Sequence, residues 1–106
     1  MPSFADREKE FEARFAHDQE LRFKITARRN RLLGLWAAAR LGLLGDAAEA
    51  YGKRVVDAQF APGGDKSVID KVAADLGAKD PTITASRVRF ELEHFARRAK
   101  RQLMRE

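Results

Sequence analysis

The stretch from Ala27 to Gly42 reads ARRNRLLGLWAAARLG and joins a basic cluster to a long apolar run. The three arginines that open it suit two interpretations: contacts to the phosphates of a nucleic acid, or the polar flank of a helix inside a small bundle. Leucine and tryptophan side chains remove large apolar areas from water when they are buried. The run therefore favours the second interpretation, in which Leu32, Leu33 and Trp36 fill a core.

In that interpretation the arginines lie at the rim of the bundle. A guanidinium at a rim pairs readily with a carboxylate of a neighbouring helix. We therefore expect Arg28, Arg29 and Arg31 to form ion pairs rather than to bind nucleic acid. The carboxylates expected as partners are Asp57, Asp70 and Asp75.

Size and composition narrow the class of protein. The chain has 106 residues, enough for one domain with one core, and no cysteine, which fits a reducing cytoplasm. Charged residues begin at Asp6, so we expect no secretory signal. The longest apolar run, Leu32–Ala39, is far shorter than the roughly 20 residues of a membrane span. The formal net charge of +5 raises the expectation that the partner is a nucleic acid.

The positions of helix-capping and helix-breaking residues predict an all-α, single-domain four-helix bundle preceded by an amphipathic N-terminal segment. Apolar residues recur at helical spacing along the chain, and strand-like alternation is almost missing. We expect the N-terminal segment at residues 1–19 and the bundle at residues 20–106. The expected helices span about 20–42, 46–60, 65–77 and 81–105. The expected N-caps are Ser3, Asp46, Asp65 and Asp80, with Pro81 opening the last helix and Gly77 following the third.

The N-terminal segment has few apolar residues for its length. Phe4, Phe11 and Phe15 form a narrow stripe at helical spacing, and nearly all positions around them are charged. Such a stripe suits a helix that lies in the groove of a partner protein. It equally suits an end helix that packs on the bundle, and the sequence leaves both open.

The sequence offers little for catalysis. His17 and His94 are the two histidines, and neither has the spacing of a metal-binding motif. The glycine pairs do not follow a strand, so no phosphate-binding loop of the dinucleotide or P-loop kind is expected. We expect no catalytic residue, no metal and no cofactor, and therefore a protein that is not an enzyme.

Two alternatives stay open. The first is a small basic helical protein that binds nucleic acid, although no tight turn precedes a polar recognition helix as in a helix-turn-helix motif. The second is a weak site for a small ligand, such as a nucleotide, between the helices, for which no set of residues stands out. The basic residues available to the first alternative are Arg28, Arg29, Arg31, Arg97, Arg98, Lys100, Arg101 and Arg105.

Short blocks of residues along the chain form a recognisable set. They are Phe4-x-Asp6-Arg7-Glu8, Phe15-Ala16-His17-Asp18, Ala27-Arg28-Arg29-Asn30-Arg31-Leu32-Leu33-Gly34-x-Trp36-Ala37-Ala38, Leu41-Gly42, Gly45-Asp46, Tyr51, Val55-Val56, Phe60, Gly64-Asp65 and Lys71-x-Ala73-Ala74-Asp75-Leu76. Together these blocks resemble the zeta subunit of the alpha-proteobacterial, proton-translocating rotary ATP synthase. The resemblance covers nearly the whole chain, and the block around Arg28–Ala38 is long enough to be specific. From Ala85 onward the match rests on amphipathicity and basic character.

The resemblance implies a four-helix regulatory subunit that inhibits ATP hydrolysis by the catalytic head of the synthase. In that family the N-terminal segment is often mobile when free and helical when inserted between catalytic and rotor subunits. Carried over to this sequence, the inhibitory segment runs from Ser3 to about Asp18. Its expected contact residues are Phe4, Arg7, Phe11, Arg14 and Phe15. The expected location is cytoplasmic, peripheral to the inner membrane when the subunit is bound to the synthase.

Overall fold

Five α-helices joined by short turns make up residues 3–106, the part of the chain that this computed structural model describes. Their bounds are α1, Phe4–His17; α2, Gln19–Arg40; α3, Gly45–Ala58; α4, Asp65–Lys79; and α5, Ala85–Met104. No strand occurs within these residues, so the prediction of an all-α fold is confirmed for them. The helices form a single body of 50 × 29 × 24 Å. It contains five helices, one more than the predicted bundle of four, because the N-terminal segment forms a helix of its own.

Helix α2 is central and contacts each of the other four helices. Its side chains Leu33, Ala37 and Ala38 have no exposed surface. Leu32 and Trp36 are partly buried against the same core, so of the three residues expected to fill it, Leu32, Leu33 and Trp36, only Leu33 is fully buried. The core that surrounds them consists of Tyr51 and Val55 from α3, Val68, Ile69, Val72 and Leu76 from α4, and Val88, Leu92 and Phe95 from α5.

Two glycines allow α2 and α3 to cross at close range. A Cβ atom at Gly34 would lie 2.7 Å from the Cα atom of Gly52, and 3.2 Å from the Cβ atom of Val55. Real Cβ atoms do not approach backbone that closely, so a side chain at position 34 would push the two helices apart. Glycine lowers helix stability by about 1 kcal/mol relative to alanine, and here the close crossing offsets that cost.

The break between α1 and α2 falls on a single residue. Asp18 has extended backbone angles, φ −106° and ψ 104°, while its carboxylate accepts a hydrogen bond of 3.1 Å from the N–H of Leu21. It thereby caps α2, and its extended ψ ends α1, whose final turn includes the hydrogen bond from the N–H of Asp18 to the carbonyl oxygen of Arg14 at 2.7 Å. The first two helices are therefore separate elements rather than one long helix.

The predicted start of the last helix at Asp80-Pro81 is wrong. Asp80 is instead the C-cap of α4. Its carboxylate accepts hydrogen bonds from the N–H and hydroxyl of Thr82, at 3.0 and 2.7 Å, so the side chain closes a turn instead of capping a helix. Helix α5 begins at Ala85, with Thr84 as its N-cap.

Other predicted boundaries are wrong by one or two residues. Gly77 lies inside α4, which continues to Lys79. The helix expected to reach residue 60 ends at Ala58. Neither Asp46 nor Asp65 is an N-cap, since both lie in the first turn of their helices, and the cap positions are Leu44 and Gly64.

The three arginines of the opening stretch form ion pairs, but not with the predicted carboxylates. Arg28 pairs with Glu106 at 2.7 Å, Arg29 with Asp65 at 2.8 Å and Arg31 with Glu49 at 3.0 Å. The expected partners Asp57, Asp70 and Asp75 are wrong for all three. These arginines therefore connect α2 to its neighbours rather than presenting free charge to a nucleic acid.

A polar network extends from this rim into the interior. Asn30 is almost fully buried; its side-chain Nδ2–H donates to the side-chain Oε1 of Gln59 at 2.9 Å, and its Oδ1 accepts from Nε–H of Arg29 at 3.1 Å. Asp65 accepts from both Arg29 and Gln59, and hydrogen bonding to the guanidinium holds the pKa of this carboxyl below its ordinary value. Because every buried polar atom of the network has a partner, it fixes α2 against the segment that joins α3 to α4.

The close crossing of α2 and α3 predicts a strong effect of one added methyl group. Gly34→Ala should lower the free energy of unfolding by about 1–3 kcal/mol, because overpacking costs more than the gain in helix propensity. Gly77→Ala is the matched control: its nearest neighbour would be the carbonyl oxygen of Ile83 at 3.7 Å, an ordinary contact. That variant should be neutral or more stable. Urea denaturation checks both, and equal stability of the two variants would contradict the close crossing.

Candidate partner-binding site on the first helix

Helix α1 is defined at its start by a reciprocal cap. The Ser3 hydroxyl accepts from the N–H of Asp6, and the Asp6 carboxylate accepts from the N–H of Ser3, each at 3.2 Å. The expected N-cap at Ser3 is therefore confirmed. Aspartate at this position also places a negative charge in the first turn, where the helix dipole favours it.

One side chain attaches α1 to the bundle. Phe11 is 7% exposed and packs into a cleft between α2 and α5, against Leu21, Ile25 and Ala99. It is the one fully buried residue of the 14 in α1. Burial of one such side chain stabilises by about 1.5–3 kcal/mol, so α1 is held far more weakly than the helices of the core.

Lys100 of α5 adds a second contact. Its ammonium lies 4.1 Å from the ring centre of Phe15, which is partly buried, and 3.7 Å from a carboxylate oxygen of Glu12. Both interactions are partly open to solvent, and a contact of this kind contributes about 0.5–1 kcal/mol. Lys100 therefore supports the position of α1 without greatly increasing its stability.

The remaining predicted site residues face solvent. Phe4 is 60% exposed, and Arg7 and Arg14 are exposed, with no ion pair to either within residues 3–106. Arg7, Phe11 and Arg14 recur at helical spacing and line a shallow groove of about 190 Å³ together with Glu10 and Met104. The structure thus brings three of the five predicted residues together, while Phe4 and Phe15 lie outside that groove.

Sequence reasoning missed the residues of the bundle that receive α1. Ala99 and Lys100 belong to α5, and neither was among the expected contact residues, although Ala99 continues the apolar stripe of Val88, Leu92 and Phe95 at helical spacing. The signal was the small side chain of Ala99 in that stripe, since an alanine between larger residues leaves room for an aromatic ring from another helix. Nothing in the sequence indicates which ring fills that room.

The one tyrosine of the chain lies in a polar contact between α3 and α4. Tyr51 donates to Asp75 at 2.8 Å, and Lys71 lies 3.1 Å from the same carboxylate oxygen. Burial, followed by that hydrogen bond, raises the pKa of Tyr51 far above its ordinary value. Over residues 3–106, no group of three or more histidines and carboxylates could hold a metal ion. In the same range, no helix has the length and apolar character needed to cross a membrane.

The weak attachment of α1 predicts that it opens independently. In Phe11→Ala, backbone amides of α1 should lose about tenfold or more of their hydrogen-exchange protection, while amides of α4 keep theirs. Phe4→Ala is the matched control, because its ring is already exposed and should change protection little. Equal loss of protection in α1 and α4 would show instead that α1 belongs to the cooperative core.

Comparison with known protein families gives one result that covers nearly the whole chain. Residues 1–102 match the family model described as ATPase inhibitor subunit zeta. A search of curated proteins found no match.

Proposed function

The chain belongs to the ATPase inhibitor subunit zeta family, and we propose that it inhibits ATP hydrolysis by inserting α1 into the catalytic head of a rotary ATP synthase. The family is one of regulatory subunits rather than enzymes. The observation that carries the proposed mechanism is that α1 is a capped, amphipathic helix attached to the bundle through one buried side chain. The bundle, residues 20–106, then acts as a holder, and residues 1–19 as the inhibitory segment.

Insertion requires α1 to leave its cleft. When α1 leaves, the ring of Phe11 becomes exposed and the contacts of Lys100 break, which costs free energy. Burial of the same side chains in a groove of the partner would offset that cost. Asp18 suits the hinge, because it is already non-helical and separates two helices that are each capped on their own. A change in its backbone angles swings α1 without disturbing the core. The free protein then exchanges between a docked and a released state of α1. This exchange accounts for the expected mobility of the N-terminal segment.

The released helix presents three aromatic side chains to the partner. Phe4, Phe11 and Phe15 are seven and four residues apart and therefore share one face. Phe4 has no role in the docked state, since it is 60% exposed. Insertion would bury it together with the other two, so the partner can gain more apolar burial than the bundle does. Arg7 and Arg14 flank the stripe and would fix its register through carboxylates of the partner.

The inhibition is steric in this mechanism. A rotary head hydrolyses ATP by opening and closing its catalytic interfaces in sequence. A helix that fills one open interface, between catalytic and rotor subunits, prevents closure and stops rotation. The protein would act on the cytoplasmic side, peripheral to the inner membrane, where it binds the head.

Two exposed phenylalanines offer a matched test on the full chain. Phe4 and Phe90 are 60% and 62% exposed, on α1 and α5 respectively. Phe4→Ala should raise the concentration needed for half-inhibition of ATP hydrolysis by the cognate soluble head about tenfold, since about 1.4 kcal/mol of lost burial corresponds to that factor. Phe90→Ala should change it less than twofold.

Circular dichroism should show both variants folded as the unaltered protein, because neither ring supports the core. Equal inhibition by the Phe4 variant and the unaltered protein would contradict insertion of the stripe. Absence of inhibition by the unaltered protein at any concentration would reject the inhibitory mechanism for this chain.

A further inference from the structure

The C-terminal half of α5 carries a concentration of positive charge of which the fold uses only a part: the guanidinium of Arg98 lies 5.6 Å from the ring centre of Phe95, and the ammonium of Lys100 lies 3.7 Å from a carboxylate oxygen of Glu12. Between Glu93 and Glu106 no residue is acidic. We call Arg97, Arg98, Arg101 and Arg105 the basic end. All four are exposed, and none has an ion pair within the described residues. By contrast, Arg28, Arg29 and Arg31 of α2 each form an ion pair.

The basic end is directed to one side. At about 100° per residue its four arginines fall within a sector of roughly 100° of the helix surface. The opposite side of α5 is apolar and packs on the bundle through Leu92, Phe95 and Ala99. Four cations on one side repel one another, so an arrangement without internal carboxylates is best stabilised by an external negative surface.

The basic end lies where α1 joins the bundle. Ala99 and Leu103 pack with the first turns of α2, and Arg28 of α2 pairs with Glu106 at 2.7 Å. The N-terminus of α2, from which α1 departs, is therefore beside the C-terminal half of α5. Any partner that holds α1 is brought against this end of the bundle rather than the opposite one.

An apolar groove borders the same end. It has a volume of about 770 Å³ between α2, α3 and α5, and its lining includes Phe23, Leu32 and Leu103. Phe23 is 57% exposed, and its ring centre lies 6.2 Å from that of Phe60, which is 68% exposed. The arginines that line this groove are Arg28 and Arg31 of α2, and exposed aromatic rings beside arginines are the composition of protein interfaces. A surface that only neutralised phosphates would need no such groove.

We infer that the basic end is a second docking surface, for an acidic surface of the same protein partner that receives α1. The inference rests on the proposed function for the identity of that partner. Complementary charge speeds encounter, by tenfold or more at low ionic strength. Once the basic end is docked, α1 is held near its groove at a high effective concentration, so insertion becomes an intramolecular step. The bundle is then a second binding element and not only a holder.

Charge reversal on the full chain tests this surface. Arg97→Glu with Arg101→Glu reverses the charge of two of the four arginines of the basic end. Arg40→Glu with Lys79→Glu is the matched control: it changes the net charge equally, and both residues line one pocket at the far end of α2. The measurement is the association rate with immobilised catalytic head of the cognate synthase, at about 20 mM and about 0.5 M salt, where charges are weakly and strongly screened.

The Arg97/Arg101 variant should associate about tenfold more slowly than the unaltered protein at low salt, and the control less than twofold more slowly. At high salt the three rates should converge. Equal slowing by both variants would mean that only net charge matters, and would overturn the docking surface. Unchanged association of the Arg97/Arg101 variant would also overturn it.

The same preparations separate this inference from the proposed function. Salt-dependent association without inhibition of hydrolysis would support the docking surface and reject insertion of α1. Inhibition of hydrolysis, together with an association rate that is the same for the Arg97/Arg101 variant and the unaltered protein, would support insertion of α1 and overturn the docking surface. A 20-base-pair DNA duplex is the further probe: if the Arg97/Arg101 variant loses binding to the duplex but not to the head, the surface recognises nucleic acid and the inference is wrong.

Discussion

The close crossing of α2 and α3 is the contact on which the rest of the structure depends. With Gly34 against Gly52, no side chain separates the two backbones, and Leu33, Ala37 and Ala38 are carried into the core. Helix α2 then serves two purposes along its length. Its C-terminal two-thirds holds α3, α4 and α5 together, while its first turns, with α5, form the cleft that receives α1. Stability and the proposed function therefore use different parts of one helix.

The core around Leu33 holds its helices more firmly than the cleft of Phe11 holds α1. That difference in stability suits a regulatory subunit. The core around Leu33 includes side chains from four helices. The cleft of Phe11 involves one buried ring and a solvent-exposed ion pair between Lys100 and Glu12. We expect a helix held this weakly to open without unfolding the bundle. It lies beside a basic surface whose four arginines have no ion pair within the described residues.

Sequence reasoning reached those features of the fold that depend on local chemistry. The cap at Ser3 is a contact over three residues, and the burial of Leu33 follows from the helical period. The predictions were wrong where one side chain can form either of two local hydrogen-bonding patterns. The carboxylate of Asp80 can cap a helix or close a turn with Thr82, and both fit the letters Asp-Pro-Thr. The ion-pair partners of Arg28, Arg29 and Arg31 depend on the angles at which the helices cross, and sequence patterns alone do not predict these angles. The stripe of Phe4, Phe11 and Phe15 is compatible with docking on the bundle and on a partner, so its period alone could not distinguish them.

The central claim is that α1 must leave its cleft to inhibit, and a covalent lock tests it most directly. The chain has no cysteine, so Glu12→Cys with Lys100→Cys places the only two thiols on either side of the contact, where a short bifunctional thiol reagent can join them. The measurement is ATP hydrolysis by the cognate catalytic head with the joined and the unjoined variant. Lys66→Cys with Asp70→Cys, joined within α4, controls for the reagent. The account predicts that the joined Glu12/Lys100 variant loses inhibition, while its unjoined form and the joined control retain it. Full inhibition by the joined Glu12/Lys100 variant would contradict the account, because α1 would then act without leaving the bundle.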